Sequence, residues 1–111
     1  MSCYDEAMLL LFAIACASPG ADSADPCADT PVTWEHWGAG FFGGYCRSCH
    51  SSTTADRYGA PDGVDFDTLA DVRAFATRVR VRVLEQQDMP VGGGVPDDDL
   101  ARLDTFLQCG L

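Results

Sequence analysis

Five consecutive residues, Cys46-Arg47-Ser48-Cys49-His50, constrain this chain more than any other stretch. The pattern is C-x-x-C-H. Two thiols three positions apart, wound on one helical turn, can add across the two vinyl groups of a single haem, and the adjacent histidine then supplies an imidazole to the iron. Covalent anchoring and axial ligation by one short segment is the chemistry of a c-type haem. A chain built around such a group needs apolar walls on both sides of it rather than a conventional closed core.

Other uses of the same cysteines stay open on the residues alone. C-x-x-C is also a redox disulfide of the thioredoxin type, but no βαβ pattern surrounds it here. It is also half of a zinc site, but no second Cys/His pair follows at ligand spacing, and the only other histidine is His36. A plain disulfide or two free thiols beside an incidental His50 is the least specific reading.

With 111 residues the chain makes one domain, whose core gains from a staple or a cofactor. Lysine is absent, and 17 carboxylates against seven arginines give a net charge of −10. That balance argues against nucleic-acid binding and favours an acidic surface attractive to a basic partner.

Residues 1–15 read as a signal peptide. Ala7 to Ala15 is apolar but too short to span a bilayer, as in an h-region, although Asp5 and Glu6 stand where positive charge is usual. Ala13-Ile14-Ala15-Cys16 resembles a bacterial lipobox, which makes Cys16 a lipidation candidate and the chain an exported periplasmic or membrane-anchored lipoprotein. Residues 16–30 read as a flexible tether and 31–111 as the folded domain. Removing residues 1–15 takes Cys3 with them and leaves five cysteines; with Cys16 lipidated and Cys46 and Cys49 on haem, Cys27 and Cys109 remain, and in an oxidising compartment two leftover thiols read as a disulfide tying the domain's two ends. In the chain-entropy model such a bridge stabilises by about 3–5 kcal/mol.

Periodicity predicts three helices and no strand. Trp34, Trp37, Phe41 and Tyr45 form one face of a first helix from Val32 or Thr33 to about Cys46. A Ser/Thr/Gly/Asp/Pro-rich loop follows through Asp65. Asp67 is the predicted N-cap of a second helix ending near Gln87, with Leu69, Val72, Ala76, Val79 and Val83 as its stripe and Phe75 beside it. Pro90 and Gly92-Gly93-Gly94 end regular structure. A third helix starts near Pro96, carries Leu100, Leu103, Phe106 and Leu107 inward, and stops at Gly110. The fold class is all-α.

Residues 34 to 108 resemble a small class I cytochrome c. Gly38 and Phe42 lie eight and four residues before Cys46, where that family has a glycine and an aromatic, and Leu103 and Phe106 match its last-helix Leu-x-x-aromatic. The resemblance implies about three helices around one covalent haem, irregular cradling loops, and a close crossing of first and last helices at Gly38. It implies that Pro61 offers its carbonyl to the His50 Nδ1–H and that Met89, on the loop before the last helix, is the sixth ligand. It also implies a haem face opposite His50 bounded by first- and third-helix aromatics. His36 is the rival sixth ligand, read instead as a surface histidine. Arg57, Arg73 and Arg78 are candidates to pair haem propionates. The absence of lysine and the Cys27/Cys109 pair depart from the common pattern.

The function implied is single-electron transfer to protein redox partners with His/Met ligation, and no enzymatic turnover. A haem enzyme or gas sensor with an open or displaceable sixth site is the alternative. A non-haem, disulfide-bonded surface lipoprotein is a further one.

Overall fold

The computed structural model describes residues 27, 28 and 32–111. The signal-peptide reading of 1–15, the lipidation candidate Cys16 and most of the tether lie outside the described residues.

Three α-helices form, with no strand among the described residues: α1 (Ala39–Tyr45), α2 (Leu69–Val79) and α3 (Asp97–Cys109). A π-helical turn, Trp34–Gly38, leads into α1, and another, Arg80–Glu85, continues α2, so both of the longer predicted helices run at nearly their expected lengths. No helix among the described residues is long and apolar enough to cross a membrane.

Local chemistry sets the helix ends. Thr33 caps the first turn, its hydroxyl accepting from the His36 amide at 3.1 Å. At α2 the cap is Thr68 and not Asp67. The Thr68 hydroxyl accepts from the Asp71 amide at 3.1 Å while the Asp71 carboxylate reaches back to the Thr68 amide at 3.0 Å, a reciprocal capping box. α3 opens after extended Pro96 with Asp97, Asp98 and Asp99 in its first turn, where carboxylates complement the helix dipole. The helical backbone of α2 breaks at Phe75 (φ −116°, ψ 17°), where its ring meets Phe66 edge-on at 6.0 Å.

The core is small and aromatic. Phe42, Val72, Leu103 and Phe106 are fully buried, with Phe41, Phe66, Val79 and Val83 around them. The first helix crosses the last at Gly38, where a β-carbon would stand 2.9 Å from Phe106 Cε1 and 3.0 Å from Trp34 Cε3. Only hydrogen fits there, as expected of a close helix crossing. Gly110 makes a similarly close approach along the same edge of that ring. A β-carbon there would lie 2.5 Å from Phe106 Cδ1 and 2.7 Å from the Val32 carbonyl oxygen.

Cross-links hold the frame at its rim. Cys27 and Cys109 are disulfide-bonded, with α-carbons 5.3 Å apart, and tie the start of the described chain to the last residue of α3. Arg80 pairs with Asp104 at 2.8 Å, joining the end of α2 to α3. Arg82 pairs with Asp88 at 2.8 Å, and its carbonyl accepts from the Asp88 and Met89 amides at 3.0 and 3.3 Å. The Met89 loop is thereby fastened to the helix before it.

Candidate functional site

α1 runs directly into the C-x-x-C-H segment. The Cys46 amide donates to the Phe42 carbonyl at 3.0 Å. The Cys46 carbonyl then accepts from the Cys49 amide at 3.2 Å and from the His50 amide at 2.9 Å. Cys46, Cys49 and His50 are thus wound into one turn. Both thiols are free and partly buried. Burial pushes the Cys46 thiol up to about 12, the opposite of the lowered value that activates the attacking cysteine of a thioredoxin-type disulfide.

His50 is oriented through its second nitrogen. Its Nδ1 lies 2.8 Å from the Val64 carbonyl oxygen. A carbonyl can only accept, so Nδ1 is the donor, and in the neutral ring Nε2 is the nitrogen that holds the lone pair a metal needs. This corrects the expectation for Pro61. The Pro61 carbonyl instead accepts from Arg57 Nη2 at 2.7 Å. The acceptor falls three residues later because the loop folds back through the Phe66 amide, which donates to the His50 carbonyl at 2.9 Å and sets Val64 beside the ring. Phe66 meets the imidazole edge-on at 5.5 Å.

Asp67 is the clamp that sequence reasoning missed. Its carboxylate accepts from the Ser51 hydroxyl at 2.6 Å, from the Ser52 amide and hydroxyl at 2.8 Å each, and from Arg47 Nε at 3.0 Å. It therefore grips the C-x-x-C-H segment from inside at Arg47 and from the far side at Ser51 and Ser52. The Ser51 hydroxyl, then the Ser52 amide and hydroxyl, then Arg47 hold this carboxyl well below the usual range.

Cys46, His50 and Met89 line one groove. Its cavity volume is about 160 Å³, and it opens to solvent at its mouth. Its walls are mainly apolar: Phe42 and Tyr45 from the first helix, Phe75, Val79 and Val83 from the second, and Phe66 from the loop. α3 contributes no wall. Phe106 is consumed by the helix crossing, so the expectation of third-helix aromatics here does not hold. Pro61 does line the groove, without a bond to His50. Arg78 and Arg82 are the charged residues of its lining. Of the three arginines expected near propionates, Arg78 alone lines the groove, while Arg57 is spent on loop carbonyls.

His36 does not reach this groove. It is exposed, and its Nδ1 lies 3.1 Å from the Thr33 hydroxyl. Met89 also borders a second, smaller void of about 60 Å³ between Val83, Gln87, Gly94, Val95 and Leu100. Among the described residues no group of three or more His, Cys, Asp or Glu side chains comes together as an ion site. Comparison with protein-family models, with curated proteins and with solved structures gave no match.

Proposed function

We propose that this chain is a c-type cytochrome of class I architecture, carrying single electrons through one covalently attached haem c with His50 and Met89 as axial ligands. The observation that carries the reading is the groove. Cys46, His50 and Met89 border the same apolar space, and Cys49, its thiol also free, lies on the turn that joins Cys46 to His50 without lining the groove.

The residues present fit that group. Two thiols on one turn suit attachment to two vinyls. An imidazole fixed through Nδ1 and a thioether are a familiar axial pair for low-spin iron, and the thioether raises the potential. When bound, the haem supplies the one-electron Fe(III)/Fe(II) couple. The chain's own part is to hold the imidazole through Val64, to keep the C-x-x-C-H turn closed through Asp67, and to exclude water with Phe42, Phe66 and Phe75. The Arg82–Asp88 pair keeps Met89 on its side of the groove.

The partners are unidentified redox proteins. The net charge of −10 favours basic ones and disfavours nucleic acid. Export, and attachment to a membrane through a lipidated Cys16, belong to the same proposal.

A second reading is favoured by the small void behind Met89. It gives the side chain somewhere to withdraw, and a displaceable sixth ligand is the requirement of a haem enzyme or gas sensor. One preparation separates these. The chain is expressed in cells competent in haem attachment, and its intact mass and absorption spectrum are recorded. Electron transfer requires covalent haem, a low-spin spectrum and no change with carbon monoxide. A high-spin spectrum that responds to carbon monoxide favours the sensor. A colourless protein of unmodified mass rejects both.

A further inference from the structure

The carbonyl that orients His50 is not his alone to use. Val64 O accepts from His50 Nδ1 at 2.8 Å and also from Arg57 Nη2 at 3.1 Å. The guanidinium is held in place independently of this bond. Its Nη1 donates to the Ser51 carbonyl at 2.8 Å, its Nη2 to the Pro61 carbonyl at 2.7 Å, and its Nε to the Ala60 carbonyl at 3.3 Å. Asp65 Oδ1 lies 2.8 Å from Nη1 as a counter-ion, yet this buried oxygen receives no properly directed hydrogen bond. Asp62 stands farther off, at 3.7 Å, with its side chain in solvent. Arg57 thus directs its donors to carbonyls, while Asp65 offsets its charge.

We infer that Arg57 is a positioning residue that sets the basicity of His50 by competing for the Val64 carbonyl, with Asp65 setting how strongly it competes. The inference rests on His50 being an axial haem ligand. The physical basis is that a carbonyl shared between two donors gives each less than it would give one. His50 makes the shorter bond, and the charged donor at 3.1 Å draws on the same oxygen. A histidine whose Nδ1–H is more strongly bonded is a more basic ligand. Arg57 therefore holds the imidazole in orientation while limiting how much electron density it passes to the iron. A more basic imidazole favours the ferric state, so the arrangement keeps the potential higher than an unshared carbonyl would.

Two substitutions pull in opposite directions. Arg57→Gln removes the competing cation. Asp65→Asn keeps the shape of a side chain whose buried oxygen has no directed bond to lose, and leaves the guanidinium uncompensated. The readouts are the His50 Nδ1–H proton resonance of the ferrous, ¹⁵N-labelled holoprotein and its midpoint potential. Arg57→Gln is expected to move the resonance downfield and lower the potential. Asp65→Asn is expected to move the resonance upfield and raise the potential. A loop staple without a tuning role predicts that both variants loosen the loop and shift the resonance the same way; that result, or no shift in either, overturns the inference. If Arg57→Gln does not fold, Asp65→Asn decides alone by the sign of its shift. Wild-type protein carrying His50-ligated haem with unresponsive variants overturns only this inference. Wild-type protein that takes up no covalent haem overturns the functional reading, and this inference with it.

Discussion

Gly38 backs directly onto the Phe106 ring, leaving no room for a β-carbon, which would stand 2.9 Å from Cε1. Phe106 is itself fully buried between Trp34, Trp37 and Phe42, with ring centroids 6.5, 6.0 and 6.1 Å away, so it has nowhere to retreat. Gly38→Ala should therefore destabilise the fold by about 1–3 kcal/mol, the usual cost of overpacking. Phe106→Leu should cost stability by itself but relieve part of the Gly38→Ala penalty. Denaturant melts of both single variants and the double would reveal that coupling, and strictly additive effects would contradict the crossing.

The expectation of this crossing comes from the family resemblance carried by Gly38, eight residues before Cys46, and by the Leu103–Phe106 pair; periodicity alone does not give it. The three helices were legible because their apolar stripes repeat at helical spacing. The loop between His50 and Thr68 was not. Its order comes from one carboxylate, Asp67, and one guanidinium, Arg57, reaching back to backbone and hydroxyl groups many residues earlier, and such pairings leave no periodic trace. Asp67 before an apolar stripe looks like a helix cap. The capping box at Thr68 and Asp71 takes that role and frees Asp67 for the clamp. A serine pair directly after the histidine, with an unspent aspartate ahead of the next helix, was the signal available. Pro61 misled because spacing alone cannot tell which of several loop carbonyls faces a ring.

The Asp67 clamp makes a pH-dependent contribution of definite sign. Its carboxyl is depressed in the folded state, chiefly by the Ser51 hydroxyl, then by Ser52 and Arg47. A depressed carboxyl stabilises the fold at pH values above its unfolded pKa of about 3.9, and that contribution is lost as pH falls below it toward the folded value. Asp67→Asn should thus be less stable than wild type at neutral pH, with the gap narrowing below about pH 4. Urea midpoints across pH 2–7 would show this. A constant gap throughout would mean the carboxylate charge is not what holds the turn.

The Cys27–Cys109 bridge closes a loop with a sequence separation of 82 residues. In the chain-entropy model, removing it by Cys27→Ser with Cys109→Ser should cost about 4–5 kcal/mol. The groove is lined by neither cysteine, so a protein that still folds should keep its spectrum. A melting transition unchanged by the double substitution, or by reductant, would remove the bridge from any account of stability.

Met89 is where fold and function meet most directly. Its amide donates to the Arg82 carbonyl, the preceding Asp88 pairs with the Arg82 side chain, and Met89 lines the groove that His50 also lines. If the thioether is the sixth ligand, Met89→Ala should lower the midpoint potential, because Met/His ligation raises it. It should also abolish the weak near-red ferric absorption band of Met–iron ligation and let carbon monoxide bind the ferrous protein. Met89→His should return a six-coordinate, low-spin spectrum at a potential below that of wild type. Val91, two residues on and 83% exposed, gives the control, since Val91→Ala touches nothing in the groove and should alter none of these readouts. Arg82→Gln supplies a graded case. Loss of the Asp88 pair loosens the loop without deleting the sulfur, so the absorption band should survive while carbon monoxide binding becomes measurable. Spectra and potentials of Met89→Ala indistinguishable from wild type would remove Met89 from the iron and leave the sixth position to another group or to none.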